Sequence, residues 1–388
     1  MTSLSIGRAT RADIDLDAIA ANVAALVGCT KPARFCAVVK ADGYGHGAVA
    51  VSRAAVAAGA HWLAVALVEE AVVLREAGID VPILVLSEPP RSMFSAVIEH
   101  ALRVTVYSPE LIQALGQAAS LAGVDIAVHL KVDTGMHRVG APPSNLLSLG
   151  RQIAATPRLR HEGTCTHLAV ADAVADPYTA TQLDRFEQCL AELRAEGIDP
   201  GITHAANSAG AIFHPSARFD LVRCGIAMYG LRPDDRCDPA AYGVTLRPVL
   251  SLHSAVTHVQ RLAAGERPSY GRITPLARDS VVATVPIGYA DGVPRRLSSV
   301  GGNVLLRGQR RAVIGRVTMD QLMVDCSTDD TIERDDEVVL LGRQGSHEIS
   351  AWEWAVALDT IAYEITCGVS VRVPRRFLSS SAPGTREV

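Results

Sequence analysis

A lysine at the end of an apolar run is the first feature of this sequence that suggests chemistry. Residues 35–39 follow a turn-forming Lys31-Pro32 pair and predict a buried strand that ends at Lys40, with glycines at 43, 45 and 47 just beyond it. Burial lowers the pKa of a lysine, and only the neutral amine attacks a carbonyl carbon. Lys40 is therefore a candidate Schiff-base lysine. The alternative is a lysine that snorkels to solvent where a glycine-rich turn begins.

Other polar residues also end or follow apolar runs: Lys131, His167, Asn207 and Arg223, with Gly225 shortly after the last. No carboxylate cluster accompanies them, which disfavours a divalent cation that needs hard oxygen ligands. His167 and His204 with Asp172 are an alternative zinc set, but their spacing matches no recognised ligand pattern. Lysine, arginine, asparagine, serine and glycine fit an anionic cofactor or substrate better, so we expect no metal.

Two of these segments offer donors for a phosphate group. The run NSAG at 207–210 supplies a hydroxyl and backbone N–H groups where a helix is predicted to start. Gly225 and Ile226 supply further backbone amides. A phosphate site beside an aldehyde-reactive lysine suggests pyridoxal phosphate.

An alternation of strands and helices must position these residues. It repeats about eight times over roughly the first 240 residues, which predicts an α/β fold with a (β/α)8 barrel. The predicted strands lie near residues 35–39, 61–66, 81–86, 103–106, 126–131, 164–167, 203–207 and 221–225. A doubly wound open sheet would show the same alternation, but no GxGxxG follows the first strand, so the barrel is preferred.

The composition changes near residue 245. Short β-branched runs separated by Gly, Asp and Pro then predict strands near 249–253, 281–285, 304–306, 311–317, 321–325 and 337–341, with one helix near 349–358. We therefore expect a barrel domain at 1–243 and a mainly β domain at 244–388. The first dozen residues or so are expected to pack with the β domain, and the tail after Phe377 to fray.

Composition and charge exclude several classes of protein. The 388-residue chain is 48% hydrophobic with a net charge of −4, which gives no electrostatic basis for binding nucleic acid or an anionic membrane. Eight cysteines occur without a CxxC pair, a pattern typical of free thiols in a reducing cytosol. No signal peptide and no membrane-spanning run is evident. We expect a cytoplasmic protein.

Motifs along the chain resemble, in order and approximate spacing, those of bacterial alanine racemases. They are VVKADGYGHG around Lys40, KVDTGMHRVG from Lys131, TH at 166–167, HAANSAG from His204, RCGIAMYG from Arg223, SYG at 269–271, IGYADG from Ile287, GRVTMD from Gly315 and YEI from Tyr363. The resemblance extends from the N-terminal helix to about Arg375. It implies a pyridoxal-phosphate barrel followed by a β domain, and a head-to-tail homodimer whose sites combine one barrel with the partner's β domain.

The resemblance also implies a reaction and its two bases. The enzyme would interconvert L-alanine and D-alanine on the imine of pyridoxal phosphate, supplying D-alanine for peptidoglycan. Lys40 would be the cofactor anchor and one base, and Tyr270 from the other subunit the second base. A phenol has a pKa near 10, so Tyr270 needs nearby positive charge or hydrogen-bond donors to its oxyanion, and the resemblance implies His167 and Arg223 as the candidates. Arg223 would face the pyridine nitrogen, and because a guanidinium only donates, that nitrogen would stay unprotonated.

Further residues carry implied binding roles. The cofactor would be held by Tyr44, His167, Asn207, Ser208, Arg223, Tyr363 and the amides of Gly225 and Ile226, and the substrate by Arg138, Met319 and Tyr289. Arg138 would bind the substrate carboxylate through its bidentate fork. Lys131 matches a lysine that is carbamylated in some family members. Thr318 departs from relatives that carry Cys there, which bears on inhibition by thiol reagents and not on the chemistry.

Three other functions remain open on the sequence. A racemase for serine or for several amino acids is the first, because a hydroxymethyl group is discriminated only weakly from a methyl. A non-catalytic pyridoxal-phosphate-binding barrel is the second, although such proteins typically lack a β domain. An amino-acid decarboxylase is the third, although it would need acidic groups for a distal amine that are not found.

Overall fold

The computed structural model describes residues 8–380, which form two compact units. One unit is Ala18–Arg247, and the other joins Pro248–Val388 to Met1–Asp17, as far as those segments are described. The chain begins with strand β1, Arg11–Asp15, and helix α1, Leu16–Thr30. The predicted domain boundary at 243/244 stays a prediction, because compactness does not establish that either unit folds on its own.

The unit Ala18–Arg247 contains an eight-stranded parallel sheet. Its strands are β2 Arg34–Val38, β3 Trp62–Val65, β4 Ile83–Val85, β5 Arg103–Val106, β6 Ile126–Lys131, β7 Leu159–Cys165, β8 Ile202–His204 and β9 Leu221–Cys224. Each strand pairs with the next in sequence from β2 to β8, and β9 pairs with β2. The N–H of Asp220 donates to Thr203 O at 3.0 Å and that of Arg223 to Ala206 O at 3.0 Å, so β8 also meets β9 and the barrel closes.

Four of the eight barrel strands, β3, β4, β6 and β9, are buried along their whole length, which explains why the barrel strands read as largely apolar runs. The connecting helices are α2 Lys40–Tyr44, α3 Ala48–Ala57, α4 Val68–Glu76, α5 Phe94–Glu99, α6 Pro109–Ala122, α7 Pro143–Ala155, α8 Tyr178–Ala195 and α9 Ser208–Phe213. The predicted (β/α)8 barrel is confirmed. Several strands, including β3, β4 and β9, end short of their predicted bounds. The difference at β8 matters most for the site: it ends at His204, because Asn207 caps α9 by accepting from the Gly210 N–H at 2.9 Å.

The second unit is built on a largely antiparallel sheet, so the predicted β region is confirmed. Its further strands are β10 Leu250–Ala255, β11 His258–Leu262, β12 Ser280–Val285, β13 Asn303–Leu306, β14 Gln309–Ile314, β15 Leu322–Asp325, β16 Glu337–Gln344, β17 His347–Ile349 and β18 Arg375–Leu378. The strand order is β11-β12-β15-β14-β13-β16-β10-β1-β18, with β17 on β16. Helices α10 Ala351–Leu358 and α11 Ala362–Cys367 complete the unit.

The sequence analysis missed β1, β11, β17 and β18. Strands β11 and β18 lie at the two ends of the sheet order and are largely accessible, so polar residues replace the apolar alternation that would reveal them. Strand β1 pairs antiparallel with β10 and parallel with β18. Its Asp13 accepts two hydrogen bonds from Arg376, at 2.8 and 2.6 Å. Residues 1–7 and 381–388, which include most of the predicted N-terminal packing segment and frayed tail, lie outside the described residues.

Within residues 8–380, no helix combines the length and the apolar character needed to cross a lipid bilayer.

Candidate active site

The polar residues singled out in the barrel lie at or just past the carboxyl ends of five parallel strands. Lys40 follows β2 by two residues, Lys131 is the last residue of β6, His167 follows β7, Asn207 follows β8 and Arg223 lies in β9. Because all these strands are parallel, their carboxyl ends share one end of the barrel. The fold thus brings the five together, although each comes from a separate stretch of sequence.

The chain turns left-handed immediately after Lys40. Five successive residues have positive φ angles: Ala41, Asp42, Gly43, Tyr44 and Gly45. Each L-residue in this conformation costs roughly 1–2 kcal/mol, so the surroundings must hold the turn. Ala41 N–H donates to the Glu70 carboxylate at 2.6 Å, and Ala48 N–H donates to Asp42 at 2.8 Å. Half-buried Lys40 therefore leaves β2 in a fixed direction.

A cradle of hydroxyl and amide groups lies at the turn after β9. Gly225 N–H donates to Ser208 Oγ at 3.0 Å, so the start of α9 meets this turn. A Cβ atom on Gly225 would stand only 2.3 Å from the Tyr44 hydroxyl, and glycine is what permits that hydroxyl to approach. Tyr44, Ser208, Gly225 and Ile226 are all buried. Two hydroxyls next to backbone amides are a donor set that fits a phosphate group.

Arg223 is buried in the barrel and is surrounded by acceptors. Its guanidinium donates to Thr166 O at 2.7 Å and Ala205 O at 3.0 Å, and it lies 2.5 Å from His204 Nδ1. His167 Nδ1 lies 3.4 Å from the same guanidinium. A guanidinium has donors only, so both histidines must present a lone pair to it. Arg223 therefore fixes which nitrogen of each ring carries the proton.

Positive charge dominates this end of the barrel. The pKa of His167 is lowered well below its usual range by burial and then by the cations Arg223, Lys131, Arg138 and Lys40. Burial also lowers the pKa of Lys131, and Arg223 and Arg138 lower it further. Four cations around one neutral imidazole form a site for an anion. This potential fits both the phosphate of a cofactor and the carboxylate of an amino acid.

The loop after β6 carries Arg138. Asp133 organises this loop by accepting from Gly135 N–H at 2.9 Å and from His137 N–H at 3.0 Å. The Arg138 side chain remains exposed, whereas Lys131 at the start of the loop is buried. Arg138 is thus placed where a ligand can reach it.

The alternative zinc set does not form in the part of the chain that the structure describes, where no three His, Cys, Asp or Glu side chains are grouped to hold a metal. His204 instead uses both ring nitrogens in hydrogen bonds, to Arg223 at 2.5 Å and to His129 at 2.7 Å. The expectation that the reaction uses no metal stays a prediction.

The remaining predicted site residues lie in the other unit. Tyr270, Tyr289 and Met319 are exposed at 73%, 42% and 52% of their surface, and Tyr363 is half-buried on α11. Backbone bonds join two of their loops, because Tyr289 N–H donates to Thr318 O and the next N–H donates to Met319 O, both at 3.0 Å.

The loop that carries Tyr270 is joined to the same group of loops. Ser269 Oγ donates to Arg316 O at 2.7 Å, so Tyr270 lies beside the segment that leads to Met319. Ser269 itself has a φ of 71°, a strained value for a residue with a side chain. Three predicted site residues of this unit therefore sit on contiguous, rigidly joined loops.

Several residues next to the site were not found from the sequence. Glu70 holds the turn after Lys40, while His129 and Glu162 lie behind Arg223 and His204. The only sequence signal was a histidine inside the apolar run IAVHL, since Glu162 lies before the strand predicted at 164–167. That signal is not specific, because buried polar residues often only satisfy one another.

Fold and site together define a (β/α)8-barrel enzyme whose strand ends offer cations, hydroxyls and amides to an anionic cofactor or substrate. Comparison with known proteins narrows this class. The model of the alanine racemase N-terminal domain matches residues 14–233, and that of the alanine racemase C-terminal domain matches residues 249–377. The alanine racemase of Symbiobacterium thermophilum is 50% identical over 375 residues, covering 97% of this chain and 98% of that protein.

Solved structures of alanine racemases also match this chain along nearly its whole length. The alanine racemase of Streptomyces lavendulae aligns with a TM-score of 0.91 and 39% identity, covering 97% of this chain and 98% of that one. The Bacillus anthracis alanine racemase with bound L-Ala-P aligns with a TM-score of 0.92 and 38% identity, covering 98% of this chain and 97% of that one. The chain belongs to the alanine racemase family and is an enzyme of the isomerase class.

Buried histidines make the stability of this protein sensitive to acid. Burial and neighbouring cations lower the pKa values of His129, His167 and His204, and burial lowers that of His161 to about 4. Unfolding restores values near 6.5, so the unfolded chain binds more protons below that pH. This contribution to stability is complete above pH 6.5 and is lost as the pH falls towards the folded values.

The free energy of unfolding, measured with a denaturant, should therefore fall as the pH is lowered from 7 to 4. His161→Gln should reduce the slope by at most about 1.4 kcal/mol per pH unit in the window from roughly 6.5 to 4. His258→Gln, at an exposed position on β11, is the control and should leave the slope unchanged. An identical slope in the His161→Gln variant would contradict this assignment.

Proposed function

We propose that the protein interconverts L-alanine and D-alanine with pyridoxal phosphate as cofactor, and so supplies D-alanine for peptidoglycan. The observation that carries the proposal is the cationic barrel end, where Lys40 and Arg223 stand with a phosphate-type cradle at Ser208 and Gly225. Family membership supports the choice of substrate, since relatives up to 50% identical along almost the whole chain are named alanine racemases.

The barrel residues fit this cofactor. Its phosphate would be bound by the hydroxyls of Tyr44 and Ser208 and the amides of Gly225 and Ile226, with Tyr363 as a further hydroxyl donor. Asn207 fixes the first turn of α9, from which Ser208 projects. When bound, pyridoxal phosphate supplies an aldehyde that captures the amino group and a conjugated ring that withdraws electrons from the Cα–H bond.

Arg223 would hold the ring nitrogen without protonating it. Its guanidinium donates a hydrogen bond and keeps its own proton, so the withdrawal of electrons is weaker than beside an acidic partner. This would favour return of a proton to Cα over transamination. His167, held neutral beside Arg223, would accept or donate at Tyr270 without adding charge.

Two bases on opposite faces of Cα would perform the racemisation. Lys40 Nζ would remove or return the proton on one face, and Tyr270 Oη on the other. The left-handed turn after Lys40 fixes the direction in which its side chain leaves β2, and the hydrogen bond from Ser269 Oγ to Arg316 O holds the loop that carries Tyr270. Fixed bases avoid the need for a single group to swing across the plane.

Arg138 would bind the substrate carboxylate, with Met319 and Tyr289 lining its approach. Lys131 would be carbamylated, which replaces a cation near Arg138 by an anion that orients the guanidinium. Its lowered pKa supports this modification, because only a neutral amine attacks carbon dioxide.

A homodimer would bring Tyr270, Tyr289 and Met319 of one chain to the barrel of another. Their exposure in the single chain supports such an arrangement, because large apolar side chains on joined loops commonly mark an interface. Eight free cysteines support a location in the reducing cytoplasm.

An assay that separates the two enantiomers of each amino acid tests the reaction. The lysine that binds the cofactor can be identified easily, because the chain has few lysines. The purified protein with pyridoxal phosphate should racemise alanine at least tenfold faster than serine, and borohydride should attach the cofactor to Lys40. The controls are internal, since the chain has only two other lysines, Lys31 and Lys131. Attachment at either of them, or serine turnover equal to that of alanine, would refute the respective part of the proposal.

Subunit mixing tests the shared site. Lys40→Ala and Tyr270→Phe homodimers should each be nearly inactive, because each site lacks one base. Heterodimers of the two should regain activity, since one of their two sites would have both bases. Tyr242→Phe, another exposed tyrosine, is the matched control and should be active alone. Verified heterodimers that stay inactive would exclude a site built from two chains.

Carbamylation of Lys131 can be observed directly. Protein equilibrated with ¹³C-bicarbonate should show one carbamate ¹³C resonance that disappears in Lys131→Ala and persists in Lys31→Ala, since Lys31 is exposed and Lys131 is buried. A spectrum without that resonance at saturating bicarbonate would contradict the modification.

A further inference from the structure

A line of three side chains runs through the barrel interior behind Arg223. His204 Nδ1 lies 2.5 Å from the guanidinium, and His204 Nε2 lies 2.7 Å from His129 Nδ1. His129 Nε2 lies 3.3 Å from the carboxylate of Glu162. Arg223 lies in β9, and the three side chains behind it lie in β8, β6 and β7, in that order. The line therefore connects the carboxyl end of the barrel with its interior.

The hydrogen bonds along this line can run in only one direction. Arg223 can only donate, so His204 Nδ1 accepts and its Nε2 carries the proton. His204 then donates to His129 Nδ1, which leaves the proton of His129 on Nε2. At the far end Glu162 can only accept when ionised, and it accepts from that Nε2–H. A donor-only group and an acceptor-only group thus define a single tautomer for both rings.

The charge states are consistent with this direction. Burial lowers the pKa of His129 and of His204, and Arg223 lowers both further. Glu162 raises the pKa of His129 but does not reverse the shift, so both rings are neutral. Burial raises the pKa of Glu162, but hydrogen bonds from His129 and Arg160 outweigh it and bring the pKa to about 2. Arg160 donates to the second oxygen at 2.7 Å and Arg103 lies 3.4 Å from the first.

A register shift between β6 and β7 and a glycine in β7 accommodate this line of side chains. The register between β6 and β7 shifts so that Val128 pairs with His161 and His129 with Gly163, which leaves Glu162 as the extra residue of a bulge. Bulges re-aim side chains, and here the bulge presents Glu162 to His129. A Cβ atom on Gly163 would stand 2.7 Å from His129 Nδ1, so the ring fits only against a glycine.

We propose that Glu162 is a positioning residue for the reaction: through His129 and His204 it keeps a lone pair facing Arg223 and so holds the guanidinium in place. Without an acceptor at position 162, the Nε2–H of His129 is buried without a partner, which favours the other tautomer. Each ring then has its proton on Nδ1, and His204 turns an N–H towards a guanidinium that can only donate. Arg223 must shift, and with it the group that faces the cofactor ring. The functional consequence rests on the proposed function, whereas the tautomers do not.

Nitrogen NMR of the full-length protein tests the tautomers without reference to activity. In protein labelled with ¹⁵N-histidine, long-range ¹H–¹⁵N correlations should show His129 and His204 as neutral Nε2–H tautomers, with and without pyridoxal phosphate. A neutral Nδ1–H tautomer or a doubly protonated ring at either position in the unsubstituted protein would overturn the proposal.

Substitutions at Glu162 test its role. Glu162→Leu removes the acceptor and should bring up the Nδ1–H tautomer of His129, whereas Glu162→Gln keeps a carbonyl acceptor and should retain Nε2–H. Glu192→Leu on the exposed face of α8 is the control for the substitution itself. Unchanged tautomers in Glu162→Leu, or loss of Nε2–H in Glu162→Gln, would each contradict the proposal. If Glu162→Leu fails to fold, the tautomers of the unsubstituted protein and of Glu162→Gln still test the proposal.

Kinetics of the loaded enzyme then separate this inference from the proposed function. Glu162→Leu should lower kcat for alanine about 10- to 100-fold by misplacing Arg223, with a much smaller change in KM because Arg138 is untouched. Glu162→Gln should recover most of kcat. Racemisation that is absent even in the unsubstituted protein would refute the function and leave the tautomers standing. Altered tautomers with unchanged kcat would refute the positioning role alone.

Discussion

The rest of the barrel site depends on one constraint, which is that the buried guanidinium of Arg223 can donate hydrogen bonds but cannot accept them. Every atom packed against it must therefore present a lone pair, and Thr166 O, Ala205 O and His204 Nδ1 do so. These acceptors come from the last residue of β8 and from the segments just after β7 and β8, so the constraint is met only when the barrel closes. The same rule requires His167 to present a lone pair to Arg223, and burial and the neighbouring cations keep that ring neutral.

Close packing around glycine is the second requirement of this site. The hydroxyl of Tyr44 can approach Gly225 only because no Cβ intervenes, and the ring of His129 can approach Gly163 for the same reason. The left-handed turn after Lys40 adds local strain, which hydrogen bonds to Glu70 and within the turn offset. The barrel end is therefore rigid where direction matters, at the lysine and at the phosphate-type cradle.

In the β unit, three of the predicted site residues lie on surface loops and not at a buried strand end. Tyr270, Tyr289 and Met319 are exposed, but the loops that carry them are joined by hydrogen bonds. Ser269 Oγ donates to Arg316 O, and backbone N–H groups at 289 and 290 donate to Thr318 O and Met319 O. Buried Asp291 supports them by binding Arg8 at 2.8 Å and the N–H of Gly288 at 2.9 Å. Rigid loops with exposed side chains suit a surface that completes a site elsewhere, whereas flexible loops would lose entropy on docking.

The sequence by itself determined the barrel, the β region and the strand-end positions of Lys40, Lys131 and Arg223, because buried parallel strands produce apolar runs and polar residues interrupt them visibly. It missed β11 and β18, since edge strands carry no such pattern. Only the tertiary structure decided which nitrogen of His204 faces Arg223, that Glu162 points to His129, and that Tyr44 meets Gly225. Those contacts join residues far apart in the chain, and their geometry depends on strand register and a bulge, which local residue patterns do not encode.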